Sequence, residues 1–125
     1  MGRSLREILQ SVSDVLFPEQ LGEAEVNIDS KDLNGDTPLH VLVWRNDNDG
    51  VDILIKSGAD VNGVGDMGET PLHIAISRGN EHVIESLIKA GAKLTIRSEF
   101  NETALEKARK KGGKIQKIVH KYISI

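Results

Sequence analysis

A tetrapeptide recurs in this chain at a fixed interval, and no other feature constrains the fold as strongly. Thr37-Pro38-Leu39-His40 returns as Thr70-Pro71-Leu72-His73, and the related Thr103-Ala104-Leu105-Glu106 follows, each 33 residues after the one before. Other positions keep this register: Gly35, Gly68 and Asn101, then Asn46, Gly79 and Gly112, then Leu54 and Leu87. Such a period indicates a solenoid, in which each unit buries its apolar surface against its neighbours.

Each repeat has the pattern of two helices. Thr37 and Thr70 stand where a side chain can cap a helix, and the proline after each is tolerated in a first turn because its missing N–H would have no helical partner. Apolar residues then recur at helical spacing. Gly or Asn follows each helix, and these residues adopt the left-handed conformation most readily. We expect it at Asn46, Gly79 and Gly112 after the first helices, with Gly58 and Gly91 ending the second ones.

From about Asp29 to the C-terminus, these residues resemble the ankyrin repeat family, whose Thr-Pro-Leu-His signature is intact twice. The resemblance implies an all-α solenoid of helix-turn-helix units with projecting β-hairpin loops, here Asp60 to Glu69 and Lys93 to Glu102. We expect three repeats behind an N-terminal capping helix in one domain. Its parts are the capping helix and lead-in (1–31), the first repeat (32–64), the second repeat (65–97) and a C-terminal capping repeat (98–125).

The capping helix is predicted from the residues ahead of the first repeat. Ser4-Leu5-Arg6-Glu7 is typical of a capping box, and Pro18 ends the apolar periodicity that follows. The predicted apolar face consists of Leu5, Ile8, Leu9, Val12, Val15 and Leu16. This helix should cover the open end of the first repeat.

Two departures from the repeat also carry expectations. Leu42 stands where the later repeats have Ala75 and Ala108, which predicts altered packing against the N-terminal helix. The third signature lacks both Pro and His, as a terminal capping repeat would.

Composition and spacing favour a protein without catalytic, cofactor or metal sites. The chain has no Cys, and His40 and His73 lie a full repeat apart, so they do not converge on one ion. The resemblance implies that they bond to the loop backbone. Gly63 to Gly68 matches the dinucleotide-binding glycine pattern, but it falls in a predicted loop without the required strand and helix. No apolar run is long enough to span a bilayer, so we expect a cytoplasmic protein that does not bind membranes.

Charge is polarised along the chain. Residues 1–62 carry a net charge of −7 and residues 63–125 a net charge of +4. One interpretation is a solvated face with cations near a helix C-terminus. The other is a steered contact between the basic end and an acidic protein or a phosphate backbone, with protein favoured because the whole chain is acidic.

Ankyrin proteins generally bind partners through loop tips and the exposed face of the first helices, and we carry those positions over through the 33-residue register. Two of the few aromatic residues, Trp44 and Phe100, fall there without a packing role, although Trp44 could instead fold back on the N-terminal helix or neighbouring repeats. The expected protein-binding residues are Leu33, Asn34, Asp36, Trp44, Arg45, Asp66, Met67, Glu69, Ser77, Arg78, Arg97, Glu99, Phe100, Glu102, Lys110 and Lys111, with Lys31 and Val64 beside them.

The sequence thus predicts a non-enzymatic protein-binding module, monomeric when free. We expect a stand-alone inhibitor that masks an enzyme, toxin or regulator, including the immunity-protein type. An adaptor or scaffold subunit is the first alternative. A nucleic-acid-associated protein that uses the lysines between Lys107 and Lys121 is the second.

Overall fold

The computed structural model describes residues 2–123, and its architecture is a stack of helix pairs. The α-helices are α1 (Leu5–Gln10), α2 (Ser13–Leu16), α3 (Pro38–Trp44), α4 (Asn48–Lys56), α5 (Pro71–Arg78), α6 (Glu81–Lys89), α7 (Ala104–Lys111) and α8 (Gly113–Ile123). Short 3-10 turns cover Pro18–Gln20 and Asp66–Gly68. The 33-residue register therefore corresponds to one helix pair per repeat.

The helix pairs stack in two rows. Helices α3, α5 and α7 pack side by side in one row, α4, α6 and α8 form the second, and each helix also contacts its partner in the same repeat. The interface between the rows is built from aliphatic side chains that are almost fully buried: Leu39, Leu42, Leu54, Leu72, Ile76, Ile84 and Leu87. Burial of each such side chain contributes roughly 1.5–3 kcal/mol. With few aromatic residues, the solenoid is held together mainly by these contacts.

The first helix of every repeat is capped by the threonine that precedes it. Thr37, Thr70 and Thr103 each accept a hydrogen bond from the backbone N–H three residues later, and the residue at that position bonds back to the threonine N–H. This reciprocal capping box satisfies two backbone donors that the helix itself leaves unpaired. The predicted helix starts are therefore confirmed.

The predicted helix ends hold at two of the three first helices. Asn46 (φ 58°) and Gly79 (φ 66°, ψ 26°) have the expected positive φ. Gly112 does not adopt the left-handed conformation, because its φ of 65° is combined with a ψ of −163°. Gly113 follows with φ 55° and starts α8. Two consecutive glycines thus make a tighter reversal than a single left-handed residue, through a backbone region essentially restricted to glycine.

The N-terminal cap differs from the single helix that the sequence predicts. The chain breaks between α1 and α2 at Ser11 and Val12, and the Ser11 hydroxyl donates to the carbonyl of Ile8. The break brings Ser13 into the interior, where its Oγ donates to the Ala24 carbonyl at 2.9 Å. Val15, predicted on the buried face, is instead 47% exposed. The lead-in is therefore tied to α2 at Ser13, while Val15 on the same short helix faces solvent.

The loops between helix pairs form three equivalent turns, which we call the first tip (residues 32–36), second tip (65–69) and third tip (98–102). In each, the N–H of the first residue donates to the carbonyl of the fifth, at 2.9–3.0 Å. The fourth residue (Gly35, Gly68 or Asn101) has a positive φ. Strand-like pairing among residues 2–123 is limited to one bridge, between Arg97 and Thr103. The loops are thus hairpin-shaped turns without strands, since each tip is followed directly by a helix-capping threonine.

Candidate protein-binding surface

An open groove runs between the N-terminal cap, α3, α5 and the first two tips. We call it the Trp44 groove. It has a volume of about 280 Å³ and is lined by Val15, Asp36, His40, Val41, Trp44, Asp66, Met67, Glu69 and Ile74. Apolar side chains provide much of the wall, and the carboxyl groups lie on the side of the tips. This combination of an apolar surface with charged groups beside it is typical of protein-binding patches.

Trp44 is the last residue of α3 and the largest exposed side chain of the groove. It remains 59% exposed, although the guanidinium of Arg78 lies over its ring at 4.9 Å from the centroid. Val15 of the N-terminal cap lines the same groove. The sequence left open whether Trp44 is exposed or packs on a neighbouring part of the chain. In the structure the indole contacts Arg78 of the next repeat and still presents most of its surface to solvent.

The carboxylates of the groove differ in how they are engaged. Asp36 Oδ1 accepts from the backbone N–H of Asp66 at 2.9 Å, which links the first two tips. Glu69 forms a half-buried ion pair with Lys107 at 2.9 Å. The exposed carboxylate of Asp66 makes no hydrogen bond or ion pair within residues 2–123. Asp36 and Asp66 therefore leave negative charge at the groove, since no Lys or Arg within residues 2–123 forms an ion pair with either carboxylate.

Gly65 allows the close approach of the first two tips. A Cβ atom at this position would lie 2.1 Å from Asp36 Oδ1 and 3.0 Å from the His40 ring. The glycine-rich stretch, which matches a dinucleotide-binding pattern by sequence, thus has a structural explanation in the contact between neighbouring tips. Any larger residue would displace the Asp36 carboxylate.

His40 and His73 hold each repeat to the loop that follows. Nδ1 of each ring accepts from the backbone N–H of the capping threonine, so Nε2 carries the hydrogen. Nε2 of His40 donates to the carbonyls of Gly63 and Glu69, and Nε2 of His73 to the carbonyl of Glu102 at 3.0 Å. Burial lowers the pKa of His40 below its ordinary value, while the nearby Asp36 carboxylate opposes that shift. The neutral ring is therefore the form that fits this site, as the expected structural role requires.

The expected binding residues do not all meet at one place. Asp36, Trp44, Asp66, Met67 and Glu69 line the Trp44 groove, and Leu33 and Asn34 line a separate depression between the cap and the first tip. The others lie outside both: Arg45, Ser77, Arg78, Arg97, Glu99, Phe100, Glu102, Lys110 and Lys111. Leu33 and Phe100 are strongly exposed on their tips, at 106% and 66%.

Several of the charged residues in this set contact other parts of the chain. Arg45 donates to the carbonyl of Ser11, and Arg97 to the Asn101 carbonyl and the Glu106 carboxylate. Lys110 pairs with Glu102 at 2.7 Å. Lys111 donates to the carbonyl of Ser77. These side chains therefore contribute intramolecular contacts as well as surface charge.

Three apolar groove residues, Val15, Val41 and Ile74, were missed by the sequence reasoning. Val41 and Ile74 occupy the same register position in the first two repeats, and Lys107 occupies it in the third. That register position is apolar in two repeats and charged in the third. This pattern is a signal that could have identified Val41 and Ile74 as part of the groove. Val15 could not be identified from the repeat register, because its exposure depends on the break between α1 and α2.

The stacked helix pairs, the linked tips and the histidine contacts define a helical-repeat solenoid of the kind that mediates protein–protein contacts. The chain belongs to the ankyrin repeat family: the family model for ankyrin repeats, in three copies, matches residues 9–98 and 39–120.

One curated relative is an ankyrin repeat protein of monkeypox virus, OPG189, which is 58% identical over 36 residues. That match covers 29% of this chain and 6% of the viral protein. Within residues 2–123, no helix has both the length and the apolar character needed to cross a bilayer.

Proposed function

We propose that this chain acts as an inhibitor that masks the surface of a partner protein, and that the Trp44 groove is the centre of the contact. The observation that carries the proposal is the exposed indole of Trp44 in an apolar groove, next to tips that present further apolar side chains. Tryptophan is enriched among the residues that dominate interface energies. The remaining expected binding residues, including Phe100, extend the contact around this centre.

Masking suits an open surface of this kind. The groove and the projecting tips lie on one row of helices, so a partner can be covered without rearrangement of the solenoid core. Interfaces of preorganised partners generally form with small backbone movements. An inhibitor of the immunity-protein type, which covers the active region of an enzyme or toxin, is one form of this proposal.

The charges of the third repeat favour a protein partner over nucleic acid. Lys107 pairs with Glu69, Lys110 with Glu102, and Lys121 lies 3.8 Å from Glu85. Binding to a phosphate backbone depends on cations that are available to displace counterions. Three of the lysines between Lys107 and Lys121 are thus engaged with acidic groups of the same chain, which favours a protein partner, while Lys114 and Lys117 form no ion pair within residues 2–123.

The proposal is tested by affinity capture from a lysate of the native source, with Trp44→Ala/Phe100→Ala beside wild type. Leu21→Ala is the matched control, because Leu21 is an apolar residue 88% exposed that lies outside the groove. We expect a protein that wild type and Leu21→Ala retain and the double variant loses, with nuclease treatment having no effect. Circular dichroism establishes that all variants are folded.

The captured partner is then assayed for activity with and without the chain. Loss of its activity supports masking, whereas full activity in the complex indicates an adaptor or scaffold. Equal capture by wild type and the double variant would contradict the assignment of the binding surface to this face.

A further inference from the structure

We propose that the Trp44 groove recognises an arginine side chain of the partner protein, presented next to an apolar residue. This inference rests on the proposed binding function and specifies the chemistry of what the groove accepts. Two properties of the groove support it: the apolar wall around Trp44, and the unneutralised carboxylates of Asp36 and Asp66 beside it.

The charge of the groove determines the sign of the occupant. The ionisable side chains along its lining, apart from His40, are the acids Asp36, Asp66 and Glu69. Lys107 neutralises Glu69, but no cation of residues 2–123 pairs with Asp36 or Asp66. Neutral His40 contributes no positive charge, because burial lowers its pKa. An incoming cation is therefore favoured, and an acidic side chain would be repelled.

The apolar wall determines what kind of cation fits. Trp44 already has one guanidinium over its ring, that of Arg78, and is still 59% exposed. A guanidinium is planar, is weakly hydrated and stacks on aromatic faces, whereas an ammonium group is a strongly hydrated point charge. The fork of an arginine also offers several donors to carboxylate oxygens. Together, the indole and the carboxylates match arginine better than lysine.

Among the residues that the structure describes, Arg78 is the cation that lies over the same indole, and its charge opposes the entry of a second cation. Its guanidinium lies at the end of α5, while the carboxylates of Asp36 and Asp66 lie on the tips. An arginine that enters the groove from the tip side meets the two carboxylates first. The apolar neighbour of that arginine then contacts the wall formed by Val15, Met67 and Ile74.

The test uses a random 12-residue peptide display library, selected on the full chain and counter-selected on Trp44→Ala. We expect the retained sequences to be enriched in arginine next to an apolar residue. A selected peptide is then titrated against the intrinsic fluorescence of Trp44, which is the sole tryptophan and reports directly on the groove. Replacing the arginine by citrulline, a neutral group of the same shape, should weaken binding about tenfold.

Charge variants of the protein provide the matched comparison. Asp66→Asn removes one groove carboxylate and should reduce the preference for arginine over citrulline several-fold. Asp52→Asn removes the same charge on α4, where Asp52 pairs with His82 outside the groove, and should leave the preference unchanged. Selection of acidic or purely apolar peptides, failure to select any sequence, or equal affinity for arginine and citrulline peptides would overturn the proposal.

The outcomes separate this inference from the proposed function. Capture of a partner that depends on Trp44 and Phe100, without any preference for arginine, would overturn only the chemistry assigned here. An arginine preference, without a lysate protein whose activity the chain blocks, would leave the chemistry of the groove in place and contradict the inhibitor proposal.

Discussion

The first and third repeats depart from the regular second repeat in opposite ways. In the first repeat the change lies in the core: Leu42 replaces the small residue found at Ala75, and Gly50 stands where the second repeat has Val83. In the third repeat the change lies at the helix start, where Glu106 stands in place of His40 and His73. The first departure is compensated within one repeat. The second replaces a histidine that reaches the following loop with a residue that caps the helix.

The core change is an exchange of volume between two helices. Leu42 and Gly50 are both buried, and a Cβ atom on Gly50 would lie 3.0 Å from Leu42 Cδ1. The second repeat holds a small residue on the first helix and a larger one on the second, and the first repeat reverses the pair. Gly50 on α4 of the same repeat thus gives room to Leu42. The adjustment against the N-terminal helix that the sequence predicts for Leu42 stays a prediction.

The change at the helix start separates a local role from a long-range one. Glu106 completes the capping box of Thr103, as the histidines do in their repeats, and its other contact is with Arg97. The histidines additionally reach the following loop through Nε2. The capping box is therefore common to all three repeats, while the long-range bond to a following loop is made by the histidines of the first two.

The largest effect is expected from breaking the volume exchange. Leu42→Ala should lower the free energy of unfolding by about 2–5 kcal/mol, because it leaves a cavity beside Gly50. Gly50→Val alone should cost about 1–3 kcal/mol through overpacking against Leu42 and against the Asp47 carboxylate, which also lies 3.0 Å from a Cβ atom at this position. The double variant restores the arrangement of Ala75 and Val83, so its loss should be well below the sum of the single losses. Urea denaturation of the four proteins measures this coupling, and strict additivity would contradict the exchange.

A smaller effect should distinguish the two kinds of capping residue. Glutamine at the third helical position retains the capping box but does not also span to the next loop. We expect His73→Gln to lower the free energy of unfolding by about 1–2 kcal/mol, because the partly buried bond to the Glu102 carbonyl is lost. Glu106→Gln, the same substitution at the matching position, should cost less. Equal losses in urea denaturation would show that the long-range bond contributes nothing.

The smallest effect concerns pH. In the unfolded chain, the His40 ring binds a proton near pH 6.5. In the folded chain, burial lowers the pKa of this ring, so the ring stays neutral at that pH. Protonation therefore favours unfolding, so stability should fall as the pH drops below about 6.5. Urea denaturation at pH 7.5 and pH 5.5 should show a smaller loss in His40→Gln than in wild type.

The pH window separates His40 from the acidic caps. The pKa of Glu106 is lowered chiefly by the hydrogen bond from the Thr103 backbone, and that of Asp47 chiefly by the bond from Arg3. Carboxylates with a lowered pKa stabilise the folded state above the unfolded value and lose that contribution only at more acid pH. An unchanged pH dependence in His40→Gln would therefore rule out His40 as the source of the loss between pH 7.5 and 5.5.

Most of the repeat architecture could be predicted because its signals are local. Thr37 followed by Pro38 fixes a helix start by capping geometry, and Asn46 or Gly79 fixes a helix end by its tolerance of positive φ. The capping box of Thr103 and Glu106 follows the same local rule. These features need no knowledge of the rest of the chain.

The Trp44 groove was predicted in part. The register brought Asp36, Trp44, Asp66, Met67 and Glu69 into the expected set, and the structure places these five in one groove. The pairing of Glu69 with Lys107 could not be read from the register, because it joins side chains 38 residues apart. The same limit applies to the cation over Trp44, since Arg78 belongs to the next repeat.

The sequence by itself determined the period of the repeats and the starts of their first helices, because a fixed spacing and local capping chemistry specify these directly. The face that the tips and first helices share followed from the resemblance to the ankyrin repeat family. Only the tertiary structure decided where the N-terminal helix breaks, how Gly50 accommodates Leu42 and which charges remain unpaired at the groove. Each of those outcomes depends on the distance between side chains from separate helices, which stacking sets and which no local pattern encodes.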